Sequence, residues 1–182
     1  MSFVTTELEG VFIYSPTVFK DERGYFFESY NQKVFEHGGF NFNFVQDNQS
    51  RSKHGVLRGL HYQLNPNAQT KMVRVLNGSI LDVVVDIRPN SKTYKKWISI
   101  ELSSNNFKQI LIPKGFAHGF IVVSDEADVI YKCEGFYDKS SEAGIRFDDP
   151  ELNIDWGMDK KDIIVSDKDA KLPFFKAAAN NF

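Results

Sequence analysis

A chain of 182 residues with 42% hydrophobic content can bury one core and is too short for two ordinary domains and a linker, so one domain over residues 1–182 is expected. Its 22 basic and 24 acidic residues leave a formal net charge of −2 with no basic stripe, which argues against a nucleic-acid partner. The single cysteine, Cys133, excludes an intrachain disulfide framework; no apolar run reaches the ~20 residues that cross a bilayer, and the opening MSFVTTELEG lacks a secretory signal pattern, so a cytoplasmic protein with no membrane partner is expected.

Phenylalanine is abundant at 17 residues, and apolar positions at helical spacing are scarce, so β-structure dominates the expectation. In chain order, strands are expected over residues 10–15, 25–30, 42–50, 56–63, 71–77, 79–88, 96–102, 109–112, 118–123 and 128–135. One helix is expected after an Asn31 cap, over residues 32–37, stopping at Gly38 with a left-handed glycine. Asn77-Gly78 stands between two apolar runs and predicts a type I′ hairpin turn. Asp82 and Asp86 interrupt the longest apolar run, residues 80–87. Beyond Asp148 the strand pattern fades into Asp-Pro, Asp-Trp-Gly and Ser-Asp-Lys-Asp clusters, which predict turns and short helices packed over the sheet. Many short strands at close spacing mean a sandwich or barrel.

Two segments carry histidines in a chemical setting. Residues 113–120, PKGFAHGF, set a proline-glycine turn ahead of His118, the form of the second cupin motif. Residues 55–63, GVLRGLHYQ, stand in the place of the first, but offer His61 and Gln63 where metal-binding cupins offer two histidines and a later glutamate. Two histidines and a poor amide ligand fall short of the three or four donors of a Zn or Fe centre, so no metal cofactor is expected and His61 is free to act as a base.

Beyond cupins in general, FKDERGYFFESY at residues 19–30, Val45-Gln46-Asp47-Asn48, VLRGLH at 56–61 and IPKGFAHGF at 112–120 resemble the dTDP-4-dehydrorhamnose 3,5-epimerases. Gln69-Thr70-Lys71, Tyr131-Lys132, Tyr137, Ser141-Glu142 and residues 166–169 continue the match in the same order, and such a series is more specific than any one motif. The resemblance implies a mainly β cupin jelly-roll barrel, a double-stranded β-helix with short peripheral helices. It implies a dTDP-linked 4-keto sugar as substrate, with inversion at C3 and C5, the alternatives being an epimerase of a single carbon and, less well supported, a metal-dependent cupin. It also implies a homodimer, in which Arg23 and Glu28 serve the neighbouring subunit's site.

A 4-keto sugar has acidified C–H bonds on both sides of its carbonyl, so inversion needs a base on one face, an acid on the other and a partner for the enolate. The resemblance assigns these roles to His61, Tyr131 and Lys71, with Asp169 holding the imidazole. Histidine suits the first role because its ordinary pKa of about 6.5 leaves much of it neutral near pH 7. Arg23, Arg58 and Lys168 are the expected phosphate contacts. Glu28, Gln46, Asp47, Asn48, His118 and Glu142 are expected to contact nucleotide and sugar, together with Lys71, and Tyr137 to stack on thymine. Taken one at a time, Tyr131 reads as a packing residue, Lys71 and Arg58 as solvated strand charges, and Asp169 as part of a helix start behind Ser166. Lys132 alternates to the other strand face, Cys133 reads as an inert buried thiol, and Phe19 and Phe26 as the phenylalanines least tied to the core.

Overall fold

The computed structural model describes residues 2–182. Its strands are β1 (Ser2–Thr5), β2 (Phe12–Ser15), β3 (Phe19–Asp21), β4 (Gly24–Phe26), β5 (Phe44–Lys53), β6 (Leu57–Gln63) and β7 (Lys71–Asn77). They continue with β8 (Ser79–Asp86), β9 (Trp97–Ser103), β10 (Gln109–Ile112), β11 (Phe116–Val122), β12 (Glu126–Glu134) and β13 (Glu142–Gly144). A six-stranded sheet in the order β1-β2-β10-β7-β12-β5 faces a five-stranded sheet in the order β13-β6-β11-β8-β9, and β3-β4 stands apart as a hairpin. All strand pairings within these sheets are antiparallel. Consecutive long strands repeatedly change sheet, which is the jelly roll the sequence resemblance implies.

Burial follows the period-2 alternation of strands. On β8, Ile80 and Val84 point into the space between the sheets, where they join Val73, Val75, Ile110, Phe120 and Val129. Val83 and Val85 point outward, into a second cluster with Leu60, Tyr62, Ile121, Trp156 and Phe175. Both faces of β8 are therefore covered, which is why its sequence reads as a near-continuous apolar run. The cover on the outer face is the C-terminal segment, with 3₁₀ turns at Lys160–Asp162, Asp169–Lys171 and Phe175–Ala177, in line with the turns and short helices expected there. Asp149 anchors that segment by accepting from the backbone N–H groups of Glu151, Leu152 and Phe175, and burying a side chain such as Phe175 stabilises by about 1.5–3 kcal/mol.

The helix α1 (Gln32–His37) has the expected bounds, and the Asn31 side chain caps it by accepting from Lys33 N–H. Its end differs from expectation: Gly38 remains right-handed at φ −76°, and the left-handed residue is Gly39 at φ +86°. The Asn77-Gly78 hairpin is also corrected. β7 pairs with β10 and β12, β8 pairs with β9 and β11, and the dipeptide carries the chain from one sheet to the other. Gly78 is still required, at φ +75° and with a Cβ at that position falling 2.0 Å from the Glu126 carbonyl oxygen. The strand expected over 25–30 shrinks to β4, paired with β3, and β1 and β13 were not expected. Each is only three or four residues long, too short for a period to register.

Candidate active site

Toward one end of the space between the sheets the inward alternation turns from apolar to polar. On β12 Val129 gives way to Tyr131, on β7 Val73 to Lys71, and on β11 Phe120 to His118. Those side chains line a cavity of about 400 Å³ together with His61, Arg58, Lys168 and Asp169. His61, Lys71 and Tyr131 also line an adjoining cavity of about 290 Å³, whose other walls include Gln46, Asn48, Tyr137 and Glu142. The two form one cleft, with His61 on the five-stranded sheet and Tyr131 on the six-stranded sheet.

The placement of His61 depends on a close approach of two backbones. Gly59 sits at φ +136°, and a Cβ there would fall 2.5 Å from Gly119 Cα, so only glycine lets β6 lie this near β11. The register shifts at that point and sets His61 directly across from His118. His61 Nε2 is 2.9 Å from Asp169 Oδ1, while Gly59 N–H donates to Asp169 Oδ2 at 3.3 Å. Burial by itself would raise the Asp169 pKa. The hydrogen bond and charge of His61, the Gly59 N–H and Ser166 outweigh it and hold the carboxyl below the ordinary aspartate range. Asp169 N–H donates to Ser166 Oγ at 3.1 Å and opens the Asp169–Lys171 turn, so Asp169 is at once a helix-start residue and the partner of His61.

Across the cleft, burial first and the neighbouring Cys133 second raise the Tyr131 pKa, against a smaller downward pull from Arg58. Tyr131 is thus a protonated phenol over the neutral range. Lys71 Nζ lies 5.9 Å from the centre of that ring, and burial lowers its pKa against the upward pull of Cys133, Asp82 and Glu142. Arg58 Nε donates to Ser52 Oγ. Lys168 Nζ meets Glu142 Oε1 at 2.5 Å, and Tyr137 donates its hydroxyl proton to Glu142 Oε2 at 3.1 Å, so these three residues tie the mouth of the cleft.

Three expected contacts line neither lobe. Asp47 faces the opposite side of its sheet, on Lys132 at 3.0 Å. Glu28 accepts from Asn31 Nδ2. Arg23 pairs with Asp21 on the β3-β4 hairpin, with 85% of its side chain exposed. Gln63 is engaged structurally: its amide donates to Asn67 O and its oxygen accepts from Asp138 N–H. Cys133 is buried with Asn48 Nδ2 at 3.6 Å from its sulfur. Asp82, bonded to His118, was missed as part of this site because in sequence it reads only as a break in an apolar strand. Among the described residues no three His, Cys, Asp or Glu side chains converge as metal ligands, and no helix is long and apolar enough to cross a membrane.

A family model for dTDP-4-dehydrorhamnose 3,5-epimerase matches residues 5–177. The enzyme of that name from Shigella flexneri is 52% identical over 170 residues, covering 93% of each chain. The crystal structure of the Elizabethkingia anophelis dTDP-4-dehydrorhamnose 3,5-epimerase superposes with a TM-score of 0.92 at 50% identity, covering 97% of both chains. That of the Legionella pneumophila dTDP-6-deoxy-D-glucose-3,5-epimerase, in complex with dTDP-4-keto-L-rhamnose, superposes with a TM-score of 0.92 at 45% identity over 97% of this chain and 93% of the other.

Proposed function

We infer the steps below from one premise: the chain belongs to the dTDP-4-dehydrorhamnose 3,5-epimerase family. Its activity is the inversion of C3 and C5 of dTDP-4-dehydro-6-deoxy-D-glucose to give dTDP-4-dehydro-L-rhamnose. The observation that carries the mechanism is the position of His61 and Tyr131 on opposite sheets with one cavity between them. A flat enolate held in that cavity has a base on one face and a phenol on the other. His61, with Nε2–H donated to Asp169, presents Nδ1 as the basic nitrogen and removes the proton from C3 or C5. Tyr131, kept protonated by burial, returns a proton to the opposite face. Lys71 beside the phenol donates to the C4 oxygen as negative charge gathers there, a contact of the kind that lowers a barrier by about 2.7–4 kcal/mol.

Arg58 and Lys168, on the cavity wall, are assigned to the diphosphate, and His118 to the sugar. Tyr137, 53% exposed at the cleft mouth, is the surface on which thymine would stack, with Glu142, Gln46 and Asn48 around it. Incubating enzyme and substrate in heavy water and locating deuterium by NMR tests this reading: label is expected at both C3 and C5. Label at one carbon only would make the protein a single-carbon epimerase, and no label would remove the enolate.

The proposed homodimer is supported by the β3-β4 hairpin. Phe19, Tyr25 and Phe26 are 63%, 58% and 68% exposed, and the hairpin belongs to neither main sheet. Three large apolar side chains in water on one small element support a partner surface. In a two-fold pair the hairpin would carry Arg23, with Glu28 just beyond it, toward the other subunit's diphosphate, which accounts for their position away from the cleft of their own chain. Light scattering at micromolar concentration is expected to give twice the mass of one chain. A monomer would withdraw both residues from the site.

A further inference from the structure

Two aromatic side chains stand at the mouth of the cleft on a segment that buries little of itself. Residues 135–138 run from the end of β12 to the turn at Lys139–Ser141, and within them Phe136 is 72% and Tyr137 53% exposed. Gly135 opens the segment at φ +88°, with no atom within 4 Å of where a Cβ would stand, so glycine is there for its conformation. Apolar burial does not hold Tyr137 in place, yet stacking on a base requires one ring orientation. A loop of this kind keeps a defined position only where its backbone polar groups are answered.

Glutamines answer them. The Gly135 carbonyl accepts from Gln69 Nε2 at 2.9 Å, and the Phe136 carbonyl from Gln63 Nε2 at 3.4 Å. Tyr137 N–H donates to Gln46 Oε1 at 3.4 Å, and Asp138 N–H to Gln63 Oε1 at 2.7 Å. Four consecutive residues thus each give one backbone group to a side-chain amide, and the amides come from β5, the end of β6 and the stretch just ahead of β7. Because β5 and β6 lie in different sheets, the loop is fastened to both walls of the cleft. Gln63 is the centre of the arrangement: it is buried, holds the loop at two points, and its Nε2 also donates to Asn67 O at 2.6 Å. A side-chain amide suits this task because one head carries a donor for the carbonyls and an acceptor for the N–H, whereas a glutamate would lack the donor. The departure of Gln63 from the metal-binding cupin pattern thus comes with a task of its own.

We propose that Gln63 is a positioning residue for nucleotide recognition: with Gln46 and Gln69 it forms an amide clamp that presets the 135–138 loop, so that Tyr137 stands in its stacking orientation before the nucleotide arrives. A ring already held in place binds without first losing freedom, which is the gain of preorganisation. The hydroxyl contact of Tyr137 with Glu142 fixes the far end of the same ring. None of the clamp's hydrogen bonds involves His61, Lys71 or Tyr131. The clamp therefore strengthens binding of substrate and transition state alike and shows in KM rather than in kcat. The proposal rests on the reading of Tyr137 as the surface on which thymine stacks.

A double-mutant cycle tests it, reading the Kd of dTDP by calorimetry and the steady-state kinetics of the dTDP-linked 4-keto sugar. Gln63→Leu is expected to raise both the dTDP Kd and KM by about tenfold, with kcat within about threefold of wild type. Tyr137→Ala is expected to raise the Kd by about tenfold or more, as loss of a base-stacking ring does. In the double variant the Kd should match that of Tyr137→Ala alone, because Gln63 acts through that ring and has nothing left to position. Losses that multiply in the double variant overturn the proposal. So does Gln63→Leu with a wild-type Kd, or with a lower melting temperature as its only change, which is what a merely structural role would give. If Gln63→Leu does not fold, Gln69→Ala takes its place in the same cycle, since it frees the Gly135 carbonyl from a half-buried position, and the same outcomes decide. The underlying reading fails separately: a wild-type dTDP Kd in Tyr137→Ala removes the thymine platform and the clamp with it, whereas a costly Tyr137→Ala beside a harmless Gln63→Leu removes the clamp alone.

Discussion

His61→Ala is expected to abolish deuterium entry at both C3 and C5 and to lower kcat by about 10²–10⁴-fold, the contribution typical of one positioned general base. Both carbons are affected because each inversion begins with loss of a proton, and His61, backed by Asp169, is more open to the cleft than His118 on the same wall, at 32% against 9% of the side chain. The fold should tolerate the change, since about a third of the His61 side chain is already exposed, at 32%, and Asp169 keeps its contacts with Gly59 and Ser166. His61→Asn sharpens the experiment, because an amide can still donate to Asp169 yet accepts no proton at neutral pH. The two variants should be equally dead and should melt close to wild type. Persistent label at either carbon in His61→Asn would mean that a second base serves that carbon, and His118, directly across the strand pair, would be the residue to replace next.

How much of this could be read before the structure depends on the range over which each signal acts. The Asn31 cap and the helix behind it are local, so they were legible to the residue, and so were most strand positions, because a period of two shows in six or seven residues. Partner strands are another matter. Asn77-Gly78 carries the chemistry of a tight turn, and the positive φ at Gly78 is there, but the same dipeptide serves a hairpin or a step between sheets. What selects the step is the pairing of β7 and β8 with strands far away in the chain. The site divides in the same way. His61 and His118 announced themselves through the turns and glycines around them, whereas the partner of His61 lies 108 residues away and was legible only through family resemblance. Asp82 and Asp86 look alike in sequence, each an acidic break in an apolar strand. Only the structure separates them: Asp86 is answered by Arg88, Ser91 and Thr93, while Asp82 meets His118 with one oxygen and keeps the other unanswered. Arg23 and Glu28, expected at the site through family resemblance alone, lie away from the cleft of the single chain.

Tyr131→Phe is expected to part the two halves of the reaction. The phenylalanine ring keeps the packing of Tyr131 against the barrel wall and keeps the aromatic face near Lys71, while His61 and Asp169 on the other sheet are untouched. Proton removal therefore continues. The enolate can be reprotonated by His61 on the face it came from, and in heavy water that return carries deuterium whenever the imidazole has exchanged with solvent. Inversion needs a donor on the other face, and the phenol that burial keeps protonated is gone. The expected result is substrate that gains deuterium at rates within about tenfold of wild type while inverted product falls by about 10²-fold or more, the loss typical of a positioned acid. Because C3 and C5 flank the same carbonyl, one donor could serve both only if the sugar presents each carbon to it in turn. Loss of inversion at both carbons would place Tyr131 on both steps. Loss at one carbon with inversion retained at the other would assign Tyr131 to a single step and require a solvent molecule or another cleft residue for the second. Unchanged inversion at both carbons would take Tyr131 out of proton transfer and leave it a wall of the cavity.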